Sequence, residues 1–418
     1  MSSHPTHRTP IGRAVGIGAV LSLVVGVILL AFAWPSVTAE PKDLPVGIVG
    51  PDASVTQVED RVADEAEGAV ALERYDDRDA AVAAIQEREV YGAIVLGDAP
   101  TDAPEVLTAT AASPAVAQLL NGLAAQLQAG IDEQVQAALP AQLQQVVQAA
   151  VQAAMQAAAS GQPVDGSAAP SLPEIPQVAV TVTDVVPLAD SDPRGTGLAA
   201  AMFPLVLGGM LGGIAISLTV IGAMRRVVAV VAYSVAGGLV LAGILQGWFG
   251  ALQGDYWLNA SAIALAMAAI AAPITGLVAL IGRAGIAVGA VLFVLVGNPI
   301  SAATVPVEFL VAPWGAIGQW MPPGAAGTLL RDLSYFPDAP MAFPWLVLAT
   351  WAAVGILLSL IGHFRTAGGA EPDDEAAHAD EELAAAEARA AAPIDAPAAA
   401  HGEGETGVSA GRDTAPVG

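Results

Sequence analysis

The stretch LAAAMFPLVLGGMLGGIAISLTVIG, Leu198–Gly222, contains no Asp, Glu, Lys, Arg or His. A bilayer core of about 30 Å is crossed by about 20 apolar residues in a helix. Backbone groups surrounded by lipid must pair within their own segment, so a run of this length reads as a transmembrane helix. Five more runs share its character: Ala14–Trp34, Val227–Phe249, Ala260–Ile281, Ala284–Ala303 and Phe343–Ile361. The alternating half-polar segments of a transmembrane barrel are absent from the sequence. The expectation is an α-helical polytopic membrane protein with six transmembrane helices.

Basic residues in short loops set the orientation. Arg8 and Arg13 precede the first run, Arg225 and Arg226 separate the second and third, Arg283 separates the fourth and fifth, and Arg365 follows the sixth. All fall on one side, whereas the other side's short loops offer only Arg331. This predicts a cytoplasmic amino terminus (1–13), an extracytoplasmic segment (35–197), a membrane domain (198–364) and a cytoplasmic tail (365–418). Val37-Thr38-Ala39 also offers a signal-peptide cleavage pattern. A signal h-region is about 7–15 residues, so the longer run favours a retained anchor.

Charge is uneven. The net charge is −25. Pro35–Gly197 holds 24 acidic and 6 basic residues, and Thr366–Gly418 holds 12 and 2. An acidic exterior argues against nucleic acid as a partner. The chain has no cysteine, which removes disulfides and thiolate chemistry. Its five histidines lie in the termini or at the last membrane edge, so they form no metal site with the outer segment. Lys42 is the only lysine, in Pro41-Lys42-Asp43, which excludes a P-loop of the chain's own. No nucleophile, paired-carboxylate or cofactor constellation is recognisable, so no enzyme, cofactor or metal is expected.

Within the outer segment, Leu44–Gly50 reads as a buried strand, Ser54 as the cap of a helix, and Asp77 as the cap of another helix that buries Ala80, Ala84 and Ile85. Gly92–Leu96 and Val106–Ala111 read as strands, giving a small α/β domain inserted between the first two spans. Ala115–Ser160 is rich in Ala and Gln, with Leu120, Leu123, Leu127, Ile131, Val135, Leu139, Leu143, Val147, Val151 and Met155 spaced by three or four. That spacing predicts a long helix, on the order of 65 Å, kinked or split at Pro140. It reads equally as a stalk, lid or partner-binding helix and as a helix packed on the domain or on a second copy. Gly161–Pro176 reads as a linker, and Gln177–Leu188 as a half-buried strand that returns to the domain. The tail, Ala- and acid-rich, is expected to be disordered, with transient helix at Glu381–Ala391.

In the membrane half, Gly208 and Gly212 allow close helix approach, and Pro273 is expected to kink its helix. Asn298-Pro299 ends the fifth run. Residues 304–342 carry Pro313, Trp314, Trp320, Pro322, Pro323 and the pair Arg331-Asp332; they read as short interfacial helices, anchored by aromatics or serving as a gate. Gly208, Gly212, Pro273, Asn298, Pro299, Trp314, Trp320, Pro322, Pro323 and Arg331 are therefore the structural or gating candidates. No ionisable residue lies inside the spans, unlike ion-coupled carriers.

Taken together, these features resemble ABC-2 type permeases, in particular the phage-infection-protein (Pip/YhgE-like) branch. The resemblance rests on Val46-Gly47-Ile48-Val49 with Pro51-Asp52, on Ala80–Ile85 leading to Tyr91-Gly92-Ala93-Ile94-Val95, and on Gly297-Asn298-Pro299, Pro313-Trp314, Pro322-Pro323-Gly324 and Arg331 to Tyr335-Phe336. It covers roughly Ile11 to Phe364, by architecture more than by motif. It implies a permease subunit in a bacterial plasma membrane, acting as a homo- or heterodimer with a separate ATP-binding subunit, or a non-transporting envelope protein that displays its outer domain. The acidic tail has no counterpart in that pattern.

Overall fold

The computed structural model describes residues 10–65, 68–97, 102–160, 178–366 and 381–383. Residues 366–418 form a unit of their own, of which Thr366 and Glu381–Leu383 are described and helical. The expected linker at Gly161–Pro176 and the rest of the tail lie outside the described residues.

The chain enters through α1 (Ile11–Val37) and then builds a small sheet. Its strands are β1 (Leu44–Val49), β2 (Val70–Arg74), β3 (Gly92–Val95), β4 (Glu105–Thr108) and β5 (Thr181–Asp184), in the spatial order β2-β1-β3-β4-β5. β1 pairs in parallel with both β2 and β3, β3 pairs antiparallel with β4, and β4 pairs in parallel with β5. Parallel neighbours need crossovers, which α2 (Asp52–Glu65) and α3 (Arg78–Gln86) supply. β5 joins the sheet as expected, and its last residue, Asp184, accepts hydrogen bonds from the Thr110 backbone N–H and hydroxyl at 3.1 and 2.6 Å.

Several local expectations are corrected. α2 starts at Asp52, with Val55 N–H already bonded to Pro51 O at 2.9 Å, so Ser54 sits inside the first turn. Asp77 does cap α3, accepting from Ala80 N at 2.8 Å, but the buried stripe is Ala81, Ala84 and Ile85, with Ala80 half-buried. β4 ends at Thr108, before Ala111. β2 is an edge strand that was not foreseen. Its VALER sequence ends in charge, because Glu73 and Arg74 reach solvent and Arg74 binds Glu59 at 2.6 Å.

α4 (Pro114–Ser160) runs unbroken through Pro140, so the expected split does not occur. Its first three turns pack Val116, Leu120 and Ala124 beneath the sheet with Leu44, Val46 and Val106. Farther on, Leu143, Val147, Val151 and Met155 are exposed.

The bundle follows: α5 (Thr196–Thr219), α6 (Ala223–Ala242) continued by a wider π-helical turn (Gly243–Trp248), α7 (Tyr256–Ile281), α8 (Ala284–Ala290) continued by a second π-helical stretch (Val291–Gly297), α9 (Trp314–Gln319), α10 (Pro322–Tyr335) and α11 (Ala342–Thr366). Among the described residues, five helices are long and apolar enough to cross a membrane: α1, α5, α6 with its π turn, α7 and α11. The expected fifth run, Ala284–Ala303, is helical only through Gly297. A helix of that length rises about 21 Å, short of a bilayer core. Pro299 follows at once and offers no N–H to carry the helical ladder onward.

α7 is the core of the bundle, buried from Ala269 through Gly276. α10 lies against it: Ala325, Ala326, Leu329 and Leu330 share a core with Leu198, Met202 and Leu205 of α5, Ile263, Ala266 and Met267 of α7, and Leu348 of α11. The sheet is fixed at the same end. Asp192 accepts from Thr196 N at 3.0 Å and from Gly197 N at 2.7 Å, closing the start of α5. Ser191 donates to Gly250 O in the α6–α7 loop at 2.7 Å.

Candidate functional site

The sheet meets the bundle at two points on the segment that leads into and out of the α9–α10 hairpin. The first is the turn Val307–Phe309. Phe309 enters the core beneath the sheet beside Leu44, Val46 and Leu120. The Tyr91 hydroxyl donates to Glu308 Oε2 at 2.8 Å. The chain leaving α1 is tied to the same turn, Glu40 N–H to Phe309 O at 3.1 Å and Lys42 N–H to Glu308 O at 3.2 Å.

The second point is the end of α10. Phe336 and Ala339 are buried among Ala84, Ile85, Val90, Ala93 and Leu107 on the other side of the sheet. Arg88 donates to Asp332, and its guanidinium carbon lies 5.4 Å from the Phe336 ring centre. Local backbone explains how Arg88 reaches. α3 ends with Glu89 N–H bonded back to Ala84 O and Arg88 N–H to Ile85 O, which puts Arg88 at a left-handed φ of 62°. Glycine is the usual residue there, and a non-glycine residue carries strain of order 1–3 kcal/mol. The Arg88 contacts to Asp332 and Phe336 offset it.

A cavity of about 290 Å³ lies between the two points, lined among others by Tyr91, Glu308, Gln319, Thr328, Asp332 and Phe343. Its floor is a short polar chain. Thr328 Oγ1 donates to Gln319 Oε1 at 2.7 Å, and Gln319 Nε2 donates to Ser301 O at 3.1 Å. Arg331 donates to Ala303 O at 3.2 Å. Gly318 lets the Ile300 carbonyl approach its α-carbon so closely that a Cβ would collide with it.

Burial shapes the charges here. It pushes the Arg331 guanidinium down to about 10, helped by the like charge of Arg88. It raises the Asp332 carboxyl against the opposing pull of Arg88. It also raises the Tyr91 phenol, which the Glu308 carboxylate pushes the same way, keeping Tyr91 a donor.

The candidates read from the sequence separate into three groups. Trp320, Pro322, Pro323 and Arg331 come together in the hairpin: both prolines are buried in the first turn of α10, and the Trp320 carbonyl accepts the Trp351 indole N–H at 2.8 Å. Asn298, Pro299 and Trp314 gather instead beside the end of α1. Gly208, Gly212 and Pro273 belong to helix packing. Tyr233 of α6 donates to Gly208 O at 2.8 Å, its ring fills the space a Cβ on Gly212 would need, and Gly355 packs against Pro273. Arg88, Tyr91, Glu308, Gln319 and Thr328 were not foreseen as site residues. Glu308, Arg331-Asp332 and Asp338 are the charges in the otherwise apolar stretch 304–342, and the isolation of the first three is the signal that could have found them.

No protein-family model matches this chain, and no curated protein matches it.

Proposed function

We propose that this chain is the membrane-spanning subunit of an ABC-2-like exporter in a bacterial plasma membrane, paired with a second copy or a related subunit and driven by a separate ATP-hydrolysing protein. The observation that carries the reading is the double attachment of the sheet to the α9–α10 hairpin, at Tyr91–Glu308 and at Arg88–Asp332. Because α10 is packed into the α5–α7 core, a shift of the outer domain moves a wall of the bundle.

The chain's path supports six passes, of which one is short. Arg225, Arg226 and Arg283 lie at one end of the bundle, and the sheet is attached at the other. α11 begins at the sheet end, so Ala284–Gly297 and the turn after it return the chain from Arg283. With cations on the cytoplasmic side, the sheet faces outward and both termini face inward.

Affinity purification from membranes after mild crosslinking tests the powered reading. It predicts a stoichiometric nucleotide-binding protein with the wild-type chain. Purified complexes without one, together with unchanged export in a deletion strain, would refute it. A second reading, display of a partner-binding domain without transport, draws on the exposed Leu143, Val147, Val151 and Met155 of α4. Under it, deletion of 135–158 removes partner capture and leaves membrane insertion intact; capture that survives the deletion rules that version out.

A further inference from the structure

Two cavities flank the last turns of α1. One, about 160 Å³, is walled by Trp34, Pro35, Leu295, Val296, Val311 and Trp314, so its surface is apolar. The other, about 430 Å³, lies between Phe32 and Ser36 of α1, Met202 and Phe203 of α5, and the turn 298–305. Pro35, Pro299 and Leu310 line both, so the two are neighbours with a shared wall. The second alone has the size of a small-molecule site.

The two halves differ in chemistry. The larger one is lined by Asn298 and the exposed Thr304, and neither side chain is engaged by a protein partner among the described residues. The other two hydroxyls are occupied locally: Ser36 donates to Phe32 O at 3.3 Å and Ser301 to Asn298 O at 2.7 Å. Among the described residues, no charged side chain lines either half. Ala302, in the wall of the larger half, holds a left-handed φ of 54°. Backbone strain of this kind in a non-glycine residue collects at ligand clamps.

We infer that the two cavities form one site for an uncharged, single-chain amphiphile. Its alkyl segment fills the apolar half and its hydroxyl- or amide-bearing head bonds to Asn298 and Thr304. A charged head would find no counter-ion there. The apolar half, about 160 Å³, is small and matches a single alkyl segment. Entry is lateral, because α1 has no buried residue and meets α5 at a ring edge, Phe32 against Phe203 at 6.4 Å between centres. The inference rests on the membrane reading for the surroundings of α1 and not on an ATPase partner, so each stands or falls by a different experiment.

Full-length protein in lipid nanodiscs, exposed to a monoacylglycerol carrying a diazirine in its acyl chain, tests this. Labelling that saturates, is displaced by unlabelled monoacylglycerol, and maps to Trp34–Thr38 or Val311–Trp314 is the expected result. Ala31→Trp and Val311→Trp, which fill the apolar half from opposite walls, abolish saturable labelling. Leu21→Trp, on the exposed part of α1, leaves it unchanged. Asn298→Leu weakens half-saturation about fivefold, the loss of one neutral hydrogen bond. Labelling that rises linearly with probe, that survives both filling variants, or that is displaced equally by phosphatidylcholine or by a fatty acid anion would overturn the proposal.

Discussion

Two helices of equal apolar character, α1 and α7, have opposite fates in this molecule. None of the apolar window of α1 is buried by protein, against 67% of that of α7. A Cβ added to any of the four glycines of α1 would meet nothing within 4 Å, whereas one on Gly276 of α7 would strike the Gly355–Ser359 turn of α11. Apolar composition alone therefore marks a helix for a nonaqueous setting, and small residues facing other helices decide whether protein or lipid supplies that setting. α1 is a peripheral helix held at its last turns; α7 is the post around which the bundle and the hairpin are packed.

Several substitutions put that contrast at risk. The largest effect is expected where the hairpin packed on that post meets the sheet. Asp332→Ala leaves the half-buried Arg88 without its partner and costs about 3 kcal/mol locally. Limited proteolysis of the sheet should accelerate while the bundle's helical signal holds; unchanged cleavage would mean the pair is not part of the attachment. Next, Ile270→Ala in α7 removes a fully buried side chain and costs about 2–5 kcal/mol. Ile28→Ala in α1 should shift the thermal midpoint in bilayers far less, and equal shifts would erase the contrast. Third, Ala266→Leu overpacks α7 by about 1–3 kcal/mol, while Ala19→Leu in α1 is close to neutral by the same melting measurement.

The smallest effect is a pH dependence confined to the sheet. Hydrogen bonding to Arg78 holds the Glu105 carboxyl below the ordinary carboxylate range, and Thr183 adds to it. A lowered folded value means the stabilisation is complete above the unfolded value, about 4.3, and is lost as pH falls through the folded one. Arg78 is 44% exposed, so solvent screening limits the contribution to about 0.2–1 kcal/mol. Arg78→Ala should flatten the acid limb of the sheet's unfolding curve and leave α7 unaffected. On α10, Asp332 works in the opposite sense: its folded value is raised, so its contribution is complete below the unfolded value and is lost as pH rises through the folded one.

Much of this architecture was legible in the chain. Long uncharged runs announce α5, α6, α7 and α11 because helix is the only way to satisfy a backbone in lipid. Asp77 announced α3 through a local capping bond. Less legible were features fixed by distant partners. The shortness of α8 depends on the turn at Asn298-Pro299 and on Gly318 receiving the Ile300 carbonyl, and apolar composition runs on regardless through Ala303. Arg88 and Asp332 are 244 residues apart, a separation over which no periodicity carries information. Pro140 does not split its helix, which continues on both sides of it.

If these uncharged helices cross lipid, they hold the sheet on the side opposite Arg283. The natural chain has no cysteine, so single-cysteine variants report cleanly. A membrane-impermeant maleimide applied to intact cells should label Glu73→Cys on the sheet and reach Arg283→Cys only after permeabilisation. Labelling of both positions from the same side before permeabilisation would contradict the membrane-crossing arrangement.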